Sequence, residues 1–320
     1  MPKQKKQEIV QPKRISGWKI PKDFFENLNT IAEGYWAQAA GMADGDGCFT
    51  LRYNGPGAKL KVGYDLSLTD REPVQWLADV YGTSISEVTY KDNWENSFKT
   101  TLYGDRVMHF MLKVCPYLVE KRDLVTRFIN KTFPDYHPRK IPMNVNNISV
   151  HMGYIAGFFD AEGSVGCKPY AKKGNDTMRS WLTFTNTNIR PLKKMKKFLT
   201  SMPFSWTEKD ITIDSYREKT QRKKNGKEKK IRYNLRINTR AQITFMAIFQ
   251  PIIQIKRKAE KALKLKLLRQ IDIMTGHNKW ATPLHSKLDP KLGPQQIKYH
   301  PSLLDNGGPL YFLRGEDAEE

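Results

Sequence analysis

Two carboxylates close two similar segments in separate halves of the chain. YWAQAAGMADGDGCF ends its run of small and apolar residues in Asp44-Gly45-Asp46-Gly47, and HMGYIAGFFDAEGSV ends in Asp160-Ala161-Glu162-Gly163. A carboxylate at the C-terminal end of a helix gains nothing from the helix dipole, so Asp46 and Glu162 make poor generic stabilisers there. Brought together, they are hard oxygen ligands for one or two divalent cations. Such ions orient water, neutralise phosphate charge and stabilise a leaving oxygen. Read singly, each motif also fits a solvent-exposed helix stop ending at Gly47 or Gly163. Repetition favours the paired site: two related units would bring acids 116 residues apart to a pseudo-twofold interface. Asp44 and Asp160 point elsewhere on their helices and are expected to cap the turn or tune the site.

The elements that must position these acids repeat as well. In the first half the small-residue helix is followed by strand-like CFTLRYN and KLKVGYDLSLT, a helix over REPVQWLADVYG, strands at ISEVTY and SFKTTLY, and helices from Asp105 to Lys131 interrupted near Pro116. The second half repeats the order: SVGCKPY and RSWLTFTNT as strands, IRPLKKMKKFL as a helix, strands near FSWTEKDITI and IRYNLRINT, then helices over Thr239 to Gln250 and Ile255 to Leu268. Thr30 and Glu33 form a possible capping box for the first signature helix. Ala39, Ala40, Gly41 and Ala43, with Gly153, Ala156, Gly157 and Ala161, allow two helices to approach closely. The expected division is a basic N-terminal arm over 1–29, a first unit over 30–132, a linker over 133–147, a second unit over 148–270 and an extension over 271–320.

The partner suggested by composition is a polyanion. Lys and Arg number 54 against 33 Asp and Glu, giving a formal net charge of +21, which favours nucleic acid or an anionic membrane surface. The extension carries 5 basic and 7 acidic residues, so residues 1–270 carry +23 and the extension is not the main phosphate-binding element. No apolar stretch has transmembrane length, and the start, MPKQKKQEIVQPKR, lacks an apolar core for secretion. Cys48, Cys115 and Cys167 form no disulfide framework or zinc spacing. None of the six histidines is a compelling ligand or base.

These segments resemble the signature of the LAGLIDADG homing endonucleases. The run Ala39 to Gly47 is one copy and Ile155 to Gly163 the closer second, with the resemblance extending over about residues 30–270. The chain looks like the monomeric, two-motif branch. The resemblance implies an α+β, pseudosymmetric tandem fold with two antiparallel DNA-binding sheets, and metal binding by Asp46 and Glu162. It implies that Asp70 and Asn188 orient water, although Asp70 departs from the usual neutral Gln or Asn and is equally readable as a helix cap. It implies that Lys121 and Lys256, each in a helical segment following a proline, stabilise phosphate charge or orient water; a generic charged helix face is the alternative for both.

In that fold one face of each sheet packs and the other meets DNA. Arg52, Lys59, Lys61 and Tyr64 are candidate contacts in the first half; Lys168, Lys172, Lys173 and Arg179 lie in the comparable region of the second. Arg232, Asn234, Arg236 and Asn238 have period-two spacing, with Ile231, Tyr233, Leu235 and Ile237 as the opposite row. Arg suits guanine and Asn suits adenine in the major groove. The basic run at 217–232 is expected to follow phosphates, or to be only a solvated hairpin loop.

The reaction the resemblance implies is magnesium-dependent hydrolysis of both strands of a long asymmetric DNA site, leaving short 3′ overhangs. Two or three divalent ions would be shared by the paired sites, with calcium a poorly active substitute. The expected partner is double-stranded DNA, with intron RNA as a further one and no membrane. A group I intron RNA maturase and a noncatalytic DNA-binding descendant are the alternatives. A purely structural basic protein explains the composition but not the paired signatures. The expected setting is intracellular and organellar, mitochondrion or chloroplast, with a prokaryotic cytoplasm left open.

Overall fold

The computed structural model describes residues 28, 31–53, 60–89, 95–138, 148–172, 175–202, 206–216 and 231–274. The element order is α1 (Glu33–Gly45), β1 (Cys48–Tyr53), β2 (Leu60–Leu68), α2 (Arg71–Tyr81), β3 (Ile85–Val88), β4 (Ser97–Tyr103), α3 (Gly104–Val114) and α4 (Arg122–Asn130). It then repeats as α5 (Ile148–Glu162), β5 (Gly163–Lys172), β6 (Asn175–Asn186), α6 (Ile189–Ser201), β7 (Ile211–Tyr216), β8 (Arg232–Ile237), α7 (Thr239–Phe249), a 3-10 turn (Gln250–Ile252) and α8 (Lys256–Met274). The strands form two four-stranded antiparallel sheets with matching orders, β1-β2-β4-β3 and β5-β6-β8-β7. The fold is α+β, and the doubled order of helix, strand pair, helix, strand pair and helices is the one the sequence predicts. Among the described residues no helix is long and apolar enough to cross a membrane.

Packing divides the chain differently from its sequence halves. One compact unit contains α1 to α5 and the start of α6 (Asn188–Phe198); the other contains β5, β6 and the elements from Leu199 onward. The glycine-lined contact of α1 with α5 ties the second signature helix to the first half.

In the first unit, Tyr64, Leu66 and Leu68 of β2 and Leu102 of β4 are buried on one sheet face. Val74, Leu77, Ala78 and Tyr81 of α2 recur at helical spacing and are also buried. Full burial of each large apolar side chain is worth roughly 1.5–3 kcal/mol. The helix stops at Gly82, whose φ of 57° only glycine adopts cheaply; the Thr83 N–H closes the turn onto the Ala78 carbonyl at 2.9 Å. In the second unit, Leu182, Phe184, Leu235 and Ile237 are buried, and Phe245 of α7 stacks on Phe249 at 4.2 Å.

The expected capping box rests partly on Thr30, which lies outside the described residues. The N-cap of α1 is Ala32, which makes no side-chain cap hydrogen bond. An entry helix held by tertiary burial does not depend on a cap: every residue from Trp36 to Asp44 is buried.

Candidate active site and nucleic-acid interface

Helices α1 and α5 touch along glycines because no side chain fits between them. A Cβ on Gly41 would stand 2.1 Å from the Tyr154 carbonyl oxygen, one on Gly157 1.9 Å from that of Gln38, and one on Gly153 2.3 Å from that of Gly34. At the C-terminal end, a Cβ on Gly45 would stand 2.4 Å from Ala161 Cβ and 3.2 Å from Glu162 Cγ. Asp46 follows Gly45 directly, so Asp46 and Glu162 lie at adjoining helix ends. Asp46 is exposed and Glu162 half-buried. Gly47 is not a left-handed helix stop, since positive φ occurs only at Gly82 and Gly104 among the described glycines. It is small because Tyr64 crosses it: a Cβ there would lie 2.6 Å from the tyrosine oxygen.

The first acid of each motif is a cross-brace. Gln38 stands six residues before Asp44 and Tyr154 six before Asp160. Tyr154 Oη donates to Asp44 Oδ2 at 2.8 Å, and Gln38 Nε2 donates to Asp160 Oδ2 at 3.3 Å. Each helix thus supplies a donor to the buried acid of the other. Asp44 also accepts the N–H groups of Val119 (2.6 Å), Glu120 (3.1 Å) and Lys121 (2.9 Å), just ahead of α4. Burial raises the pKa of the Asp44 carboxyl, and these hydrogen bonds oppose the shift.

Lys121 closes the end of α1. Its ammonium donates to the carbonyl oxygens of Ala43 (2.5 Å), Asp44 (2.9 Å), Gly45 (3.2 Å) and Gly47 (2.7 Å), on both sides of Asp46. A cation is the right group for the negative end of a helix and for carbonyls with no partner inside it. Burial pulls its pKa down, and Asp44, Glu120 and Asp46 push it back up. All four of these ammonium contacts are to backbone oxygens flanking Asp46. The corresponding Lys256 is the exposed first residue of α8, in the second unit.

The expected water-orienting pair sits at two equivalent helix starts. Asn188 precedes α6, and its Oδ1 accepts the Arg190 N–H at 3.0 Å, an N-cap bond. Asp70 is the N-cap of α2 but makes no side-chain cap hydrogen bond; Thr69 Oγ1 lies 3.5 Å from its Oδ2.

The acid pair suits a hard divalent ion. No group of three or more His, Cys, Asp and Glu side chains is placed to hold a metal among the described residues; Asp46 and Glu162 together amount to two carboxylates. Magnesium is commonly held that way, by one or two carboxylates with phosphate and water oxygens completing its shell.

Strand register sorts the expected DNA contacts. In the first sheet Cys48, Thr50 and Arg52 pair with Asp65, Gly63 and Lys61, which pair onward with Thr101 and Tyr103 where β4 reaches. These residues share the face opposite Tyr64, Leu66 and Leu68. Tyr64 is therefore corrected: one residue out of step with Lys61, it points into the core, with its ring 4.5 Å from Phe110 and 4.7 Å from Phe49. Lys61 is exposed. In the second sheet Lys168 pairs with Arg179, Thr183 with Arg236 and Thr185 with Asn234; by the same alternation Lys172 and Arg232 fall on that face. Leu235 and Ile237 are buried behind it. The strand ends at Ile237; the exposed Asn238 stands at the N-cap position of α7 without a side-chain cap hydrogen bond, and its Nδ2 donates to the Lys209 carbonyl. Lys59, Lys173 and 217–230 of the basic run lie outside the described residues, and only the backbone is described for Arg52, Lys168, Lys172 and Arg179.

Sequence reading missed four groups on these faces. Tyr103 is 61 % exposed at the end of β4. Trp181 covers Gly166, where a Cβ would stand 2.5 Å from its ring, and its Nε1 donates to Ser164 Oγ at 3.1 Å. Asp65 accepts from Thr101 at 2.6 Å and pairs with Lys99 at 3.3 Å. Asp214 pairs with Arg236 at 3.1 Å. The available signal was alternation, applied to each strand from a buried residue outward.

No family model matches the chain, and no curated protein matches it. Solved structures do. The LAGLIDADG meganuclease I-AabMI bound to uncleaved DNA is 14 % identical, over 78 % of this chain and 94 % of that one, at a TM-score of 0.49. The meganuclease I-SmaMI bound to uncleaveable DNA is 16 % identical over 79 % and 92 %, at 0.48. The I-LtrWI LAGLIDADG homing endonuclease bound to target DNA is 12 % identical over 77 % and 92 %, at 0.49.

Proposed function

We propose that this chain is a site-specific homing endonuclease that hydrolyses both strands of a long asymmetric DNA site and leaves short 3′ overhangs. The observation that carries this reading is the glycine-to-backbone packing of two helices whose adjoining ends carry Asp46 and Glu162. A divalent cation held by those two acids, magnesium in this reading, supplies Lewis acidity toward phosphate when bound. The remaining work belongs to the chain. Lys121 fixes the carbonyls around Asp46 so that its carboxylate is presented without rearrangement. Asp44 and Asp160 hold the helix pair in register. Asp70 and Asn188 stand at equivalent helix starts, where each would orient an attacking water. Lys61, Arg232, Asn234 and Arg236 face outward from the sheets, where phosphates would position the duplex and base edges would select it. The net charge of +21 supports a polyanionic partner of this size.

The test is cleavage of a library of long duplexes in magnesium, with the product ends sequenced, against Asp46→Asn combined with Glu162→Gln. Discrete double-strand cuts that vanish in the folded double variant are expected. Specific duplex binding without cuts would make the chain a noncatalytic DNA-binding protein. Selective binding of structured intron RNA, with neither cuts nor duplex specificity, would make it a maturase.

A further inference from the structure

We infer that Asp214 fixes the direction of Arg236 and makes it a guanine reader on the second sheet. The inference rests on the DNA reading above and adds a base and a positioning residue to it. Register places Arg236 opposite Thr183 on β6 and Thr212 on β7, with Asp214 one step along the same face. Both flanking residues are threonines, too short to compete for the guanidinium. Arg236 Nε donates to Asp214 Oδ2 at 3.1 Å, with the two side chains 53 % and 48 % exposed. Nε is the inner donor of the guanidinium. Its engagement leaves the two terminal nitrogens presented together past the carboxylate, as a planar fork. Guanine offers two acceptors, O6 and N7, at the spacing of that fork in the major groove. A single carboxylate on a face that meets phosphates is otherwise repelled by them; paired with Arg236, its charge is answered within the sheet. Arg232 and Asn234 share the row, yet Asn234 accepts from Thr185 Oγ1 at 2.6 Å and is held by a neutral partner. Asp214 sets the direction of Arg236.

The experiment is selection from a randomised duplex library by the full-length protein without divalent cations, comparing wild type, Asp214→Asn, Asp214→Glu and Arg236→Lys. The wild-type profile is expected to contain a guanine position that Arg236→Lys erases. Asp214→Asn lowers the preference at that same position by about tenfold, while preferences at other positions persist; Asp214→Glu, which keeps the charge, retains most of it. A sequence-selective wild type whose profile is unchanged in Asp214→Asn, or altered at a position other than the one Arg236→Lys affects, overturns the inference and leaves the DNA reading standing. A wild type that selects no duplex sequence overturns both.

Discussion

Lys121 and Asp44 hold each other twice. The Lys121 N–H donates to Asp44 Oδ1 at 2.9 Å, and its ammonium donates to the Asp44 carbonyl oxygen at 2.9 Å. The side chain of one residue meets the backbone of the other in both directions, so the end of α1 and the start of α4 are locked together. Lys121→Met keeps the alkyl stem and removes the charge, leaving partly buried carbonyls without their donor. The expected loss is about 2 kcal/mol in urea unfolding, together with slower cleavage in the folded variant. Unchanged stability would rule out Lys121 as the brace of this helix end.

Gly157→Ala is expected to be far more costly than an exposed helix glycine replaced by alanine, which gains stability. Its Cβ would stand 1.9 Å from the Gln38 carbonyl oxygen, a backbone atom that cannot rotate away. Relief requires the two helices to part, at about 3 kcal/mol. A thermal melt within a degree of wild type would contradict this packing.

Stability should depend on acid through His109. Burial, and then the charge of Lys113, lower its pKa to about 4; Tyr81 Oη lies 2.9 Å from its Nδ1. The unfolded chain takes up this proton near 6.5. Between those values the unfolded state binds more protons, so stability falls as pH is lowered through the window and the contribution levels off beneath it. The loss from this group reaches ~3 kcal/mol. Equilibrium unfolding at pH 7 and 4.5 checks it: His109→Phe should flatten the dependence, and an equally steep variant would place the titration elsewhere.

The outward rows should act through phosphate charge. Lys61 and Arg232 are exposed on their sheets. Replacing either by alanine should weaken duplex binding and reduce the salt slope of the affinity by about one. A loss of affinity with an unaltered slope would assign the residue to base contact or to packing.

Much of the fold was legible because it is written twice. Alternation in the strands, helical spacing in REPVQWLADVYG and the paired acid-X-acid-Gly segments together specify the order of elements. The two acids stood out as a candidate pair because no local role suits a carboxylate at a helix C-terminus. Tyr64 was misplaced because period two leaves the starting phase open, and only the burial of Leu66 and Leu68 sets it. Asn238 continues the row one step beyond the strand. The position of Lys121 follows from a proline and a spacing, but its backbone contacts depend on how α4 meets α1. The Asp214–Arg236 pair joins strands whose connection has no pattern of its own, so nothing in the sequence aligns them.

The closeness of α1 and α5 has a consequence for synthesis. Their contact joins residues 33–45 to residues 148–162, and it is the contact on which the proposed carboxylate pair depends. A chain emerging from the ribosome can fold its first sheet early, from contacts nearer in sequence. Until Glu162 has been added it carries one acid of the two, and the centre proposed to cut DNA does not yet exist. A chain truncated before Glu162 is expected to be harmless to the genome that encodes it.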